Sequence, residues 1–235
     1  MTRSPFRAGF RDVSPILLGV IPFGLVTGFS GIDAGLTFMQ TLGTSTVIFA
    51  GASQLAVIDL VGRDAPAFVA ILTALVINAR MMMYSAALAP WFAPAPLRNR
   101  AAMAYLLTDQ AFAVSVVHYE RHEEPIGARS RYYLGAAIGL WSTWHVATIV
   151  GALVGTGLPE GLGLDFAIPL VFLALLVPAV RDRSTFVAAA VAGVVVLVAY
   201  ALPFNSALLV ASAAGIAAGL LVPVPAGVAD EEAPS

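Results

Sequence analysis

The run between Pro66 and Pro90 is apolar and long enough to cross a bilayer, yet an arginine, Arg80, stands near its middle. A guanidinium at the centre of a membrane costs about 2.5–3.5 kcal/mol on insertion scales, so it needs a compensating partner. An asparagine precedes it by two residues, in Asn78-Ala-Arg80, and Tyr84 follows one helical turn later. Finding that partner is the problem the rest of the chain has to solve.

The run is one of several. Of 235 residues, 59% are hydrophobic and 11% charged, against roughly 25% charged in an ordinary soluble domain. Apolar stretches recur at 13–29, 38–61, 67–89, 101–117, 132–154, 164–180, 185–202 and 206–222, separated by Arg-, Pro- or Gly-containing breaks. This predicts an all-α integral membrane protein, a polytopic bundle of about eight transmembrane helices with seven as the other count. A β-barrel would need alternating segments of about ten residues, and the sequence has none. One transporter domain is expected over 13–222, after a cytoplasmic arm, 1–12, and before an acidic, Pro/Ala-rich disordered tail, 223–235. The arm carries Arg3, Arg7 and Arg11 and no cleavable-looking signal, so the first run reads as a retained span.

Some functions are excluded outright. Without cysteine there is no thiolate chemistry, and a net charge of −2 does not suit nucleic acid. All twelve basic residues are arginines, so a lysine-bearing phosphate loop cannot be built. No His-Glu-x-x-His run exists, and Gly51-Ala-Ser-Gln54 is not a nucleophile elbow. The expectation is a protein that is not an enzyme and uses no cofactor or metal.

Orientation follows from arginines. With a cytoplasmic N-terminus, eight crossings put most of them inside and leave Arg98 and Arg100 outside as the exception. A segment around the second or third run that enters and leaves by one face would account for it. Pro22 and Gly24 in the first run, and Pro169 in the sixth, mark possible helix breaks. Ile21-Pro22-Phe23 and Ile168-Pro169-Leu170 are a faint echo of an inverted repeat.

The polar inventory of the spans is short: Gln54, Asn78, Arg80, Tyr84, Thr108, Asp109, Gln110 and His145. Arg80 and Asp109 are the charges closest to mid-span, with opposite signs on adjacent runs. They can pair to fix helix register, or they can face a substrate cavity. A zwitterionic amino acid would use a guanidinium for its carboxylate, a carboxylate for its ammonium, and a pocket of aliphatic and thioether groups, for which Met81 to Met83 are candidates. Asp109 is also a candidate coupling-proton site, and His145 a second proton carrier. The competing class is a passive channel or structural subunit whose polar residues only hold helices together.

Five short motifs in order carry a resemblance: Gly19-Val-Ile-Pro-Phe-Gly24, Gly51-Ala-Ser-Gln54, Asn78-Ala-Arg80 with Tyr84-Ser-Ala-Ala-Leu-Ala-Pro90, Thr108-Asp109-Gln110-Ala-Phe112, and Gly163-Leu-Asp-Phe-Ala-Ile-Pro169. Over nearly its whole length the chain resembles the AzlC family, the large subunit of branched-chain amino-acid exporters. That resemblance implies proton-driven export of valine, leucine and isoleucine, with methionine as a further candidate, across a bacterial inner membrane. It also implies a small membrane partner of the AzlD type. The chain departs from the family in having Met81 after Arg80 where a histidine is common, and Gln110 after Asp109 where a glutamate is common. Two titratable groups are thereby missing from the central site.

Overall fold

A computed structural model describes residues 4–157, 180, 182–202 and 206–222. Helix α1, Pro5–Asp33, has 29 residues, about 43 Å at roughly 1.5 Å rise per residue, enough to cross a bilayer obliquely. Pro5 occupies its first turn, where a missing N–H costs nothing. Pro15 and Pro22 lie inside it without interrupting it. The break expected at Pro22 and Gly24 is therefore absent: a long membrane helix tolerates an internal proline when neighbouring helices and Ser/Thr side chains re-satisfy the freed groups. Ser14 does part of this at Pro15, donating its hydroxyl at 2.7 Å to the Arg11 carbonyl, which the proline leaves without its helical donor.

Helix α8, Ile126–Gly157, runs beside α1 in the same direction, because contacts advance together along both: Gly9 with Tyr132, Gly24 with Ala147, Gly28 with Thr148, and Gly155 with Ile32. The two backbones touch. A Cβ at Gly135 would collide with the Phe6 carbonyl and one at Gly151 with the Leu25 carbonyl; Gly9 and Gly28 meet the Tyr132 and Thr148 carbonyls in the same way. In lipid, where apolar surface gains nothing by leaving the solvent, such small-residue seams are what hold helices together.

The run 38–61 does not cross. It forms α2, Phe38–Ile48, and α3, Gly51–Gly62, separated by a turn at Phe49 and Ala50. Both hairpin ends lie at the end of α1: Gly31 abuts Thr41, and Gly62 sits 3.1 Å from the Ala34 Cβ by the position a Cβ would take. Its tip lies halfway down, where Gly51 packs on Phe23 and Trp144. The segment enters and returns by one face.

Helices α4, Ala67–Asn78, and α5, Arg80–Phe92, then cross as one bent rod. At the bend the hydrogen bonds tighten to i−3, from Ala79 N–H to Val76 and from Met82 N–H to Ala79. The rod ends beside the start of α8, with the Phe92 ring 5.7 Å from Tyr133. A second re-entrant hairpin follows from that face: α6, Leu97–Tyr105, goes in, and α7, Asp109–Arg121, comes back. The end of α7 returns to the end of α5, with Tyr119 and Phe92 rings 5.8 Å apart. So the run 101–117, read as a crossing, also turns back. The charged stretch 118–131 between the fourth and fifth apolar runs is mostly helix, with only residues 122–125 between α7 and α8.

Among the described residues, three rods are long and apolar enough to span: Pro5–Asp33, Ala67–Phe92 and Ile126–Gly157. Helices α9, Arg183–Val198, and α10, Ala207–Leu220, form an antiparallel pair. Ser184 donates to the Gly219 carbonyl at 2.7 Å, and Leu209 packs on Leu60, Val69 and Ala70. The all-helical membrane class stands, and two of its runs are re-entrant rather than spanning. That topology also resolves the arginine exception. Arg7, Arg11, Arg98, Arg100, Arg121, Arg129, Arg131 and Arg183 lie on the face where α1 begins, and Arg63 moves to the opposite face. Pro169 lies outside the described residues.

Candidate functional site at the meeting of the hairpin tips

The hairpins enter from opposite faces and their tips meet near the centre. At the first tip Phe49 adopts a left-handed conformation, φ 39° and ψ 42°, which is uncommon for a bulky residue and marks a turn held by its surroundings. Its ring lies 6.1 Å from Tyr105, at the end of α6, and 6.0 Å from His145. Tyr105 joins the tips directly, its hydroxyl donating to the Thr46 carbonyl at 2.8 Å and accepting from Trp141 Nε1 at 3.3 Å.

The second tip starts a new helix. Thr108 is the N-cap of α7 and accepts from the Ala111 N–H at 3.2 Å. Asp109 is thus the first helical residue, where a carboxylate is favoured by the helix dipole. Arg80 opens α5 just past the bend, and its Nη2 lies 3.2 Å from Asp109 Oδ2. The two intramembrane charges compensate each other, but incompletely. Arg80 Nε and Asp109 Oδ1 are shielded and have no hydrogen-bond partner among the described residues, while the side chains remain 34% and 37% exposed. A saturated bidentate fork would leave neither atom free. The pair is unsaturated at these two shielded atoms.

Around it, Tyr84 stacks on Phe112 with centroids 4.5 Å apart and lies within electrostatic range of Asp109 and Arg80. Asn78 accepts from Ser53 Oγ at 3.0 Å, tying the bend of the crossing rod to the start of α3. Gln110 is half-buried beside Asp109. Met82 and Met83 point outward, 71% and 66% exposed, and only Met81 packs inward on the core. The thioether pocket expected from all three methionines is not formed.

Gln54 is fully buried in a separate cluster. Its amide donates to Thr44 and Ser45 hydroxyls at 3.0 and 2.8 Å and accepts from Trp144 Nε1 at 3.2 Å. Ser45 reaches Thr148 at 3.3 Å. This network closes the first hairpin on itself and pins it to α8. His145 sits at its edge, stacked 3.9 Å from Trp141, with Nδ1 donating to the Trp141 carbonyl at 2.9 Å and Nε2 3.4 Å from Thr46 Oγ1. Its contacts belong to the first hairpin, not to Arg80 and Asp109. Gly24 serves the α1–α8 seam, 2.7 Å from Ala147 Cβ by its projected Cβ.

Tyr105, Ser45 and Thr148 do not stand out in the sequence. Single hydroxyls in apolar runs are common, and only the hairpin geometry brings these into contact. A clue lay in the Ser/Thr content of 44–53, dense for a segment supposed to face lipid.

A bundle of spanning rods, two opposed re-entrant hairpins and a charged pair between the crossing rod and the second tip define a helical membrane protein. Residues 15–158, from α1 through both hairpins to α8, match the AzlC protein family, and the chain belongs to it. It is 28% identical over 195 residues to the inner membrane protein YgaZ of Escherichia coli (strain K12), covering 80% of this chain and 79% of that protein. It is 33% identical over 199 residues to an uncharacterized membrane protein of Archaeoglobus fulgidus, covering 83% of this chain and 84% of that one. No solved structure matches.

Proposed function

We propose that the protein is a secondary transporter that exports branched-chain amino acids, in the first place valine, leucine and isoleucine, across the bacterial inner membrane. The half-satisfied Arg80–Asp109 pair carries this reading. One substrate holds both complementary charges on groups borne by a single carbon: an α-amino acid offers its carboxylate to Arg80 Nε and its ammonium to Asp109 Oδ1. A zwitterion entering there completes the hydrogen bonding of both groups at once, which no singly charged solute does. The stacked Tyr84 and Phe112, with Met81, supply apolar surface for a branched side chain. Thr108 and Gln110 flank the carboxylate, and Asn78 fixes the bend that presents Arg80.

Asp109 is the group through which a proton couples to transport. Binding and release of a proton there changes the charge that holds both Arg80 and the substrate ammonium. The arginine-rich face, by the positive-inside rule, is cytoplasmic, and the α1 N-terminus with it. Each hairpin tip then closes the site from one side. A small AzlD-like subunit completes the carrier.

Everted vesicles containing this chain and the small subunit test the reading. They should accumulate labelled valine only when a pH gradient is imposed, and Asp109→Asn should abolish uptake while the folded protein persists in the membrane. Uncoupled flux that rises linearly with concentration would reduce the pair to a structural clamp in a channel or scaffold.

A further inference from the structure

Between α5 and the entering arm of the second hairpin lies a cavity of about 70 Å³ that the transport reading does not use. Leu88, Phe92, Met103, Leu107 and Tyr133 line its depth, and Ser85, Ala89 and Ala104 keep its walls low. Tyr133 presents only its ring, because its hydroxyl is spent on the Met103 carbonyl at 2.9 Å. The floor is therefore apolar, with room for a few methylenes, and the groove continues outward along exposed small side chains.

The mouth is charged. Arg100 lines the cavity and is exposed at the start of α6. It forms no ion pair among the described residues, and the first turn of α6 has no acidic residue. A guanidinium at the membrane rim beside an apolar slot lacks an anion that is also a hydrocarbon. A soluble anion would leave the slot empty, and a neutral chain would leave the arginine unpaired.

We propose that the α5–α6 groove binds an anionic phospholipid from the leaflet at the α1 N-terminal face, its phosphate on Arg100 and an acyl chain against Leu88, Met103 and Leu107. The lipid lies at the base of the hairpin whose tip carries Tyr105 and Asp109, and its seating holds α6 against the crossing rod. Anionic lipid thus becomes a condition for the closed arrangement of the tips.

The test uses the full chain in neutral detergent, with dioleoyl phosphatidylglycerol and dioleoyl phosphatidylcholine as probes. Native mass spectrometry should show phosphatidylglycerol retained over phosphatidylcholine, on the order of fivefold for one arginine near a membrane surface. Arg100→Gln should remove the preference, and Ala104→Phe, which fills the groove and leaves the arginine, should weaken retention of both lipids. Equal retention of the two lipids by the native chain would overturn the proposal, and that comparison needs no variant to fold. So would a preference that survives Arg100→Gln, stabilisation by glycerol phosphate as strong as by the lipid, or a groove found occupied by a second copy of the chain.

Discussion

Replacing Gly151 by alanine adds one methyl group at the tightest point of the α1–α8 seam. Its Cβ would meet the Leu25 carbonyl oxygen head-on and lie 2.8 and 2.9 Å from the Leu25 carbonyl carbon and Cα. Carbon atoms rest at about 3.5–4.0 Å, so the helices must part by roughly 1 Å. The obstacle is backbone of a 29-residue helix, which cannot swing aside as a side chain can. Separation therefore spreads to neighbouring contacts, Gly28 with Thr148 and Gly24 with Ala147. Overpacking of this kind costs about 1–3 kcal/mol, against a helix-propensity gain of about 0.5–1 kcal/mol for removing a glycine. The net is a loss of up to roughly 2.5 kcal/mol, centred near 1. Gly19→Ala is the control, because nothing lies within 4 Å of its projected Cβ; only the propensity gain applies there. Thermal unfolding in detergent, followed by tryptophan fluorescence, should place Gly151→Ala below the native chain and Gly19→Ala at or above it. Equal stability of the two variants would refute the argument that backbone contact holds these helices together.

Gln54→Leu should lower stability by about 1–3 kcal/mol, since the buried Trp144 Nε1 loses its acceptor; an unchanged unfolding midpoint would show that the cluster is not what pins the first hairpin. The Thr185 backbone N–H and hydroxyl hold Asp182, the N-cap of α9, below the usual carboxylate range. Because the folded value is the lower one, the cap's stabilisation is complete above the ordinary carboxylate pKa of about 4 and is lost as pH falls through the depressed value. Hydrogen exchange in the first turn of α9 should therefore accelerate on acidification below about pH 4, relative to the intrinsic rate, and Asp182→Asn should remove that dependence. Arg80→Gln should abolish valine transport as Asp109→Asn does, measured in the same vesicles; retained transport would take the substrate carboxylate elsewhere.

Much of the architecture was legible in the chain. Hydropathy marked the helical membrane class, and the cost of a lone intramembrane charge was enough to pair Arg80 with Asp109 across 29 positions of sequence. Hydropathy alone did not show the hairpins, because α2 and α3 together are as long as a spanning helix; a returning segment around the second or third run was expected only from the arginines, and the second hairpin was not expected. Length and apolarity do not register a reversal, and the first one is made at Phe49 and Ala50 without glycine or proline. The physical trace it left was indirect: Arg98 and Arg100 stood on the wrong face of an eight-span layout. Pro22 misled in the opposite sense, since a proline inside a long, well-packed helix need not break it. The Gln54 cluster depends on contacts between residues 90 and 103 positions apart, and no local pattern encodes those.

The account rests on two segments that turn back, and side-specific labelling measures that directly. The native chain has no cysteine, so single cysteines can be placed without background at four exposed positions. Asp33→Cys and Arg63→Cys flank the first hairpin; Asn99→Cys and Glu123→Cys flank the second. An impermeant maleimide added to one side of sealed vesicles should label Asp33→Cys and Arg63→Cys together, and Asn99→Cys and Glu123→Cys together from the other side. Labelling of Asp33→Cys and Arg63→Cys from opposite sides would mean that 38–62 crosses the membrane, and would dismantle the meeting of tips on which the Arg80–Asp109 site depends.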